Sequence, residues 1–363
     1  MSRYRVAQVG CGSRGKVHLD GWLANPERFE VVALCDLDRD KMSEAADERG
    51  IAPALYTDAD LMLAETKPDV FCFSTQPDVR LSMVRLAAKH QVKGLVFEKP
   101  MATSLSDARE ITQLCVQHNI KAAVSHQQKY LTSFQKLKEI LDNGEIGRVY
   151  RIDASCQAWL SQLGTHFIDY VLWANGGARA EWVVGHVHGK DLLSDNHPSP
   201  NYTMGQIGFT NGVRSFVEFG RLSASHMSPE CFWLDNRLAA YGAQGYVWCD
   251  TNGRWGAVTA SSNGQVLTGE GDPWHVQEKS RLQPLFARDS ADWLDDDEKT
   301  HPCNVEITYH GYEIAESLCR SAMEHRRIDL PLDAFEGDDV FGLMRRELPD
   351  CPEYVDTRTV DHG

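Results

Sequence analysis

Arg3-Tyr4-Arg5-Val6-Ala7-Gln8-Val9-Gly10-Cys11-Gly12-Ser13-Arg14-Gly15 begins as an alternating apolar strand, and a segment of helical character follows from Lys16 to Ala24. A strand emptying into Gly10-x-Gly12-x-x-Gly15 and then a helix is the arrangement that cradles a dinucleotide. Gly10 permits the tight turn, Gly12 lets the backbone approach a pyrophosphate, and Gly15 lets helix pack closely on strand. Unpaired N–H groups at the helix start would face the phosphates, which makes Gly10, Cys11, Gly12, Ser13, Arg14 and Gly15 the expected phosphate loop. Asp36 closes the apolar run Val31–Cys35, 21 positions past Gly15. A carboxylate there can accept hydrogen bonds from the adenosine ribose hydroxyls. This favours NAD, since a 2'-phosphate would meet like charge, although Arg39 and Lys41 leave NADP open.

Outward from that stretch, composition bounds the rest. At 363 residues the chain has room for two cores, and its 42% hydrophobic and 25% charged residues are those of an ordinary soluble protein. A net charge of −15 repels polyanions, so nucleic acid is not an expected partner. There is neither a run of 18 apolar residues nor a leader-like start, and the expectation is a cytoplasmic protein without a membrane partner. The ten cysteines include no C-x-x-C pair and several lie in apolar strands, as Cys35 and Cys72 do. Buried free thiols are expected rather than disulfides or a zinc site.

Strand-like runs Arg5–Gly10, Glu30–Cys35, Asp69–Ser74, Gly94–Phe97 and Ala122–Ser125 alternate with helical segments Ser43–Arg49, Asp58–Glu65, Val79–His90 and Ser106–His118. Such alternation predicts a parallel sheet with crossover helices, and Ser104 with Asp107 is a candidate capping box. Ligands of such sheets bind beyond the carboxyl ends of the strands, where Gly10, Asp36, Ser74, Thr75, Glu98 and Lys99 fall. After a helix at Thr132–Asn143 the grammar changes to short, turn-punctuated strands: Val149–Cys156, Trp182–His188, Tyr202–Thr210, Val213–Phe219, Cys231–Leu234, Gly245–Asp250 and Arg254–Thr259. Thr210-Asn211-Gly212 signals a hairpin. Only Gly164–Ala174, Leu282–Leu294 and Val305–His325 read as helices there, and Asp295–Glu298 reads as a solvated helix end. The expected fold is an α/β Rossmann domain, residues 1–126, plus an α+β domain with an open, predominantly antiparallel sheet, residues 127–363, whose C-terminal segment is able to pack back on the first domain. Eight of nine tryptophans follow residue 150; most are expected to fill the sheet core, with one or two lining a pocket.

Candidate chemistry clusters at a few positions. Lys99 follows the strand Gly94–Phe97 at the crevice mouth, where an ammonium can bind a hydroxyl and stabilise alkoxide charge, or act as base if desolvated. His166 opens the first helix of the second domain, and in a first turn the helix dipole favours the neutral imidazole that a general base requires. Asp169 lies three residues on and can face the same way. A satisfied structural histidine is the competing reading. His186 and His188 share one strand face and could ligate a metal, but no third ligand stands nearby in sequence, so no metal is expected. Trp274 and His275 lie in a Gly/Pro-bounded loop, a substrate lid or a plain connection.

Taken together, the chain resembles the glucose-fructose oxidoreductase and inositol dehydrogenase family (Gfo/Idh/MocA). The resemblance rests on the glycine fingerprint, Thr75, Glu98-Lys99-Pro100, Phe134 to Gly147, Gly164-Thr165-His166 with Asp169, and Arg326-Arg327-Ile328-Asp329-Leu330-Pro331. It implies a Rossmann domain, a cis bond before Pro100, an open sheet used for homo-oligomer contacts, and Lys99 and His166 facing substrate beside the nicotinamide. Two departures stand out. Gln162 occupies the position where family dehydrogenases usually carry an aspartate, and glutamine can orient an imidazole but cannot hold charge beside it. Gln76 and Arg80 replace the proline and histidine usual after the threonine. The implied activity is NAD-dependent oxidation of a secondary hydroxyl of a sugar, glycoside or cyclitol to a ketone. Lys99, His166 and Gln162 are the expected catalytic residues, and Lys99, Gln162, Thr165, His166 and Asp169 the expected substrate contacts. A redox-neutral hydrolase or epimerase with tightly held NAD and a non-catalytic sugar or NAD sensor are the two rival readings.

Overall fold

The phosphate-loop strand lies near the middle of a six-stranded sheet, and its neighbours explain why the chain reads as it does. In the computed structural model, which describes residues 2–195, 197–226, 234–333 and 340–351, the first elements are β1 Tyr4–Val9, α1 Ser13–Leu23, β2 Phe29–Cys35, α2 Arg39–Asp47, β3 Ala54–Tyr56, α3 Ala59–Thr66, β4 Val70–Phe73, α4 Arg80–Lys89, β5 Gly94–Phe97, α5 Leu105–Gln117 and β6 Lys121–Val124. The strands pair in the order β3-β2-β1-β4-β5-β6, and every pair is parallel. Strands covered by helices on both faces need apolar side chains on both, and β4 and β5 are buried at every residue. Phe73 stacks on Phe97 at 5.0 Å within this core. Ser104 caps α5 by accepting from Asp107 N, as its spacing predicts.

The second set of elements is α6 Thr132–Asp142, β7 Val149–Cys156, α7 Thr165–Ala174, β8 Ala180–His188, β9 Tyr202–Phe209, β10 Arg214–Gly220, β11 Asn236–Gly242, β12 Gly245–Cys249, β13 Trp255–Val258 and β14 Leu267–Gly269. There follow α8 Trp274–Gln277, α9 Gln283–Asp295, α10 Val305–Glu324, β15 Ile328–Asp329 and α11 Val340–Glu347. The chain divides into two compact units, residues 1–131 with 274–309, and 132–273 with 310–363. The cut thus falls five residues past the expected 126/127, and Trp274–Tyr309 belongs with the first unit. Three bonds tie that segment in: Arg28 to Asp292 at 2.6 Å, Arg28 to Asp295 at 2.8 Å, and Tyr4 Oη to Asp295 at 2.7 Å. The acidic run beginning at Asp295 is therefore not simply solvated: its first carboxylate anchors α9 to β1. Trp274 and His275 lie in a helix and not in a loop, because α8, a π turn over Glu278–Leu282 and α9 form one helical run.

In the second unit nine strands form one open sheet, β14-β13-β12-β11-β7-β10-β9-β8-β15, in which only the β10–β7 pair is parallel. The hairpin expected at Thr210-Asn211-Gly212 joins β9 to β10, with Gly212 at φ 84°. Strands β3, β11, β14 and β15 and helix α11 were not legible in the sequence, being short, or in β11 mixing Asn, Arg, Ala and Gly with single Leu and Tyr residues. The expected strand Cys231–Leu234 lies outside the described residues apart from Leu234. The tryptophans depart from expectation. Trp173, Trp182, Trp248 and Trp255 are half-buried rather than core, with cations over their rings, such as Arg237 at 4.3 Å from Trp248 and Arg214 at 5.2 Å from Trp182. Nine cysteines among the described residues are free and buried.

One packing constraint is testable at this level. Gly185 and Gly205 are register partners on β8 and β9, and a Cβ on Gly185 would stand 2.1 Å from the Leu318 carbonyl oxygen of α10. Gly185→Ala is expected to lower stability by about 1–3 kcal/mol through overpacking, read as a reduced denaturation midpoint by circular dichroism.

Candidate active site

Within the first unit, the loop after β1 takes the form its glycines require. Gly10 sits at φ 88°, and a Cβ there would come within 2.6 Å of the Ser74 carbonyl oxygen. A Cβ on Gly15 would stand 2.0 Å from the Gly10 carbonyl oxygen, so helix and strand could not approach as they do. Gly12 differs: nothing lies within 4 Å of where its Cβ would be. It is the N-cap of α1, without a side-chain cap and without an acidic residue in the first turn. The result is an open, positively polarised helix end, which suits a pyrophosphate.

Asp36 is fixed to this loop. Its Oδ2 accepts from Cys11 N at 2.8 Å and its Oδ1 from Asp38 N at 3.1 Å. Each oxygen keeps a further lone pair for a ribose hydroxyl. The Cys11 thiol beside it is pushed up to about 12 by burial and by the Asp36 and Cys35 charges, which keeps it an inert thiol at neutral pH. Behind the loop Cys11, Leu19, Leu34 and Met42 form one buried cluster.

At the ends of β4 and β5 lies a denser set of polar groups. The hydroxyls of Ser74 and Thr75 are buried without a hydrogen-bond partner among the described residues. Buried hydroxyls are normally satisfied, and two orphans beside a phosphate loop suit a ligand-binding surface. Glu98, 6% exposed, accepts from Arg14 Nε at 3.1 Å and from His18 Nε2 at 3.0 Å. His18 Nδ1 accepts from Gln283 at 2.6 Å, which places the ring proton on the Glu98 side. Arg14 also donates to Glu278 at 2.6 Å. Its side chain is thus committed to two carboxylates. Burial opposes ionisation of Glu98, yet the Arg14 and His18 contacts hold it well below the usual carboxylate range. Lys99, half-buried and followed by a cis bond to Pro100, is lowered to about 8. Burial is the main cause, reinforced by the Arg14 and Arg80 cations and opposed by Glu98.

The second unit carries the other expected residues on a continuous helical stretch. A π turn over Leu160–Gly164 with Trp159 as its N-cap runs directly into α7. His166 therefore does not occupy a helix's first turn, and the dipole argument for its neutral form does not apply. Gly164 lets this bend lie against β10, since a Cβ would stand 2.8 Å from the Phe219 ring. His166 is 5% exposed and Asp169 is fully buried. His166 Nδ1 is hydrogen-bonded to Tyr170 Oη at 3.0 Å, one turn along the helix. Gln162 belongs to the π turn, and Thr165 Oγ1 is buried without a partner among the described residues. His188 Nε2 meets Cys351 Sγ at 3.1 Å while His186 is exposed. Among the described residues no group of three or more His, Cys, Asp or Glu assembles as a metal site.

Comparison with known proteins agrees with this geometry. The oxidoreductase family with an NAD-binding Rossmann fold, Gfo/Idh/MocA, matches residues 4–126. Over its Rossmann domain, this chain is similar to the Gfo/Idh/MocA oxidoreductase family. It is similar to a D-apiose dehydrogenase of Paraburkholderia graminis, 31% identical over 147 residues, 40% of this chain and 38% of that protein's length. It is also similar to a D-apiose dehydrogenase of Rhizobium rhizogenes, 24% identical over 308 residues, 78% of this chain and 85% of that one. Its fold matches levoglucosan dehydrogenase in complex with NADH and L-sorbose at a TM-score of 0.77, with 17% identity, over 92% of this chain and 100% of that one. The matched stretch contains the Gly10–Gly15 loop, Asp36 and Glu98-Lys99-Pro100. Sequence reading missed His18, Tyr170, Glu278 and Gln283. A signal for His18 was available, because it stands one helical turn beyond Arg14 and so shares its face.

The Glu98 cluster makes a checkable prediction. Glu98→Gln keeps an acceptor oxygen but removes the buried negative charge that Arg14 and His18 share, and a loss of about 3–5 kcal/mol is expected at pH 7. A carboxylate depressed in the fold contributes above its unfolded value of 4.5 and loses that contribution as pH falls through the folded value. The gap between wild type and Glu98→Gln in urea melts is therefore expected to narrow as pH is lowered below 4.5.

Proposed function

We propose that the protein is an NAD-dependent dehydrogenase that oxidises a secondary hydroxyl of a sugar, glycoside or cyclitol to a ketone. The observation that carries this reading is the position of Lys99, just past the end of β5 in the sheet whose β1 and β2 ends carry the glycine loop and Asp36. NAD, when bound, accepts the hydride that leaves the carbinol carbon. The chain's own residues handle the proton and the charge. His166 takes the hydroxyl proton at Nε2, which requires Nδ1–H to donate to Tyr170 Oη. Lys99 donates to the same substrate oxygen and stabilises its alkoxide character. Gln162 orients imidazole or substrate where a charged partner would be usual. Thr165 and Asp169 hold neighbouring hydroxyls. Asp36 supports NAD over NADP by repelling a 2'-phosphate.

The test is a panel of sugars, glycosides and inositols screened for NAD reduction, repeated on the best substrate with variants. Lys99→Ala and His166→Ala are each expected to lower kcat by about 10²–10⁴-fold while the NAD dissociation constant stays near wild type. Wild-type turnover in both variants would overturn the assignment.

The same reading includes a homo-oligomer formed through the open sheet. Val184, Met204 and Phe216 are exposed on one face of the sheet, and Arg151 lies over the Phe216 ring at 4.4 Å. An apolar and aromatic face of this kind favours burial against a second copy. Phe216→Glu is expected to shift sedimentation velocity toward the monomer, and an unchanged coefficient would contradict the proposed face.

A further inference from the structure

Gln8 lies within β1 and is fully buried, although its register partners, Leu34 on β2 and Cys72 on β4, are fully buried as well. A polar amide in such a layer is unfavourable unless its bonding groups are used. Here both ends are used. Nε2 donates to the Gly10 carbonyl oxygen at 3.2 Å and to the Gly15 carbonyl oxygen at 2.8 Å, and Oε1 accepts from Trp22 Nε1 at 3.3 Å. Trp22 is buried on α1, about two turns past Gly15, and its ring meets Phe29 of β2 edge-on at 4.8 Å.

Gly10 begins the loop and Gly15 stands in the first turn of α1. Their carbonyl oxygens converge on one buried NH2 group, which has an N–H for each. The amide therefore ties the start of the loop to the start of the helix from inside the sheet. The joint is tight: a Cβ on Gly15 would stand 2.0 Å from the Gly10 oxygen and 3.3 Å from Gln8 Nε2. Three of the six residues from Gly10 to Gly15 are glycine, and such a stretch has wide backbone freedom of its own. Freedom left in the unbound protein is lost when a ligand orders the chain, and that loss weakens binding. We propose that Gln8 is a positioning residue for the dinucleotide: its amide holds the Gly10 and Gly15 carbonyls inward, so that the loop keeps its phosphate-accepting form before the coenzyme arrives.

Two further contacts restrain the loop, and both act in another direction. Gly10 N donates to the Cys35 carbonyl oxygen at 2.8 Å, and Cys11 N donates to Asp36 at 2.8 Å. Both tie the start of the loop sideways, to the end of β2. Gln8 alone among these contacts reaches the first turn of α1. An apolar side chain of the same length, such as methionine, would fill the space between Leu34 and Cys72 and lose only the contacts to the two carbonyls and to Trp22.

This inference rests on the reading that the Gly10–Gly15 loop takes NAD, and one experiment separates the two. NAD is titrated by calorimetry into the full-length wild type, Gln8→Met and Gln8→Leu, and the urea midpoint of each protein is read by circular dichroism. Both Gln8 variants are expected to bind NAD at least about tenfold more weakly than wild type. A side chain that served stability alone would lower the midpoint and leave the dissociation constant unchanged, because the folded molecules would still present the same loop. Trp22→Phe, which removes the donor to Oε1 and keeps both carbonyl bonds, is expected to bind NAD within about threefold of wild type. Wild-type affinity in the folded Gln8 variants would overturn the inference. So would a Trp22→Phe loss as large as that of Gln8→Met, or failure of both Gln8 variants to fold, since Gln8 would then serve the packing of α1 on β1 and not the loop. Absence of NAD binding by the wild type would overturn the coenzyme reading itself, and the inference with it.

Discussion

One buried carboxylate organises the first unit. Glu98 lies at the end of β5 and takes hydrogen bonds from Arg14 and His18 on α1, the helix that the glycine loop begins. The phosphate loop and the lysine that follows Glu98 are therefore parts of one rigid assembly, although 84 residues separate Arg14 from Glu98. Gln283 and Glu278 extend the same network into the helical run that ends in α9. A charge in this position is tolerable only because it is paired on two sides. The ledger of the site also shows why Lys99 is unusual. Glu98, which favours its charged form, is shared with two other donors, while burial, Arg14 and Arg80 act against its proton.

Much of this was legible in the sequence where local chemistry dictates form. The β1 alternation, the three glycines and Asp36 predict turn, helix and ribose contact; Gly10 and Gly15 meet the close backbone neighbours their roles demand, and Gly12 faces open space. The β9–β10 hairpin and the Ser104 cap follow from turn and cap preferences that act over a few residues. What could not be read was set by long-range packing. Strand β11 holds Asn, Ala and Gly because it lies between β7 and β12, where pairing overrides propensity. Asp295 looked like part of a solvated run until Tyr4 and Arg28 were placed against it.

The site shows the same division. Lys99, Asp36 and the glycines announce themselves by position on strand ends. His166 was legible as a residue but not in its surroundings, since a π turn ahead of α7 moves it out of the first helical turn. Its partner Tyr170 followed from helical spacing alone and was overlooked. Arg80 looked in the sequence like a departure from a family pattern; its burial and its bond to the Thr75 carbonyl oxygen show that it holds the loop after β4.

The account stands on the claim that a nicotinamide dinucleotide lodges on the Gly10–Gly15 loop with its ribose on Asp36. Isothermal titration of NAD into the purified protein tests that claim most directly. Saturable heat with one site per chain, abolished when Gly12 is replaced by a bulky residue, is the result the account predicts. Absence of any saturable heat with the wild-type protein would contradict it.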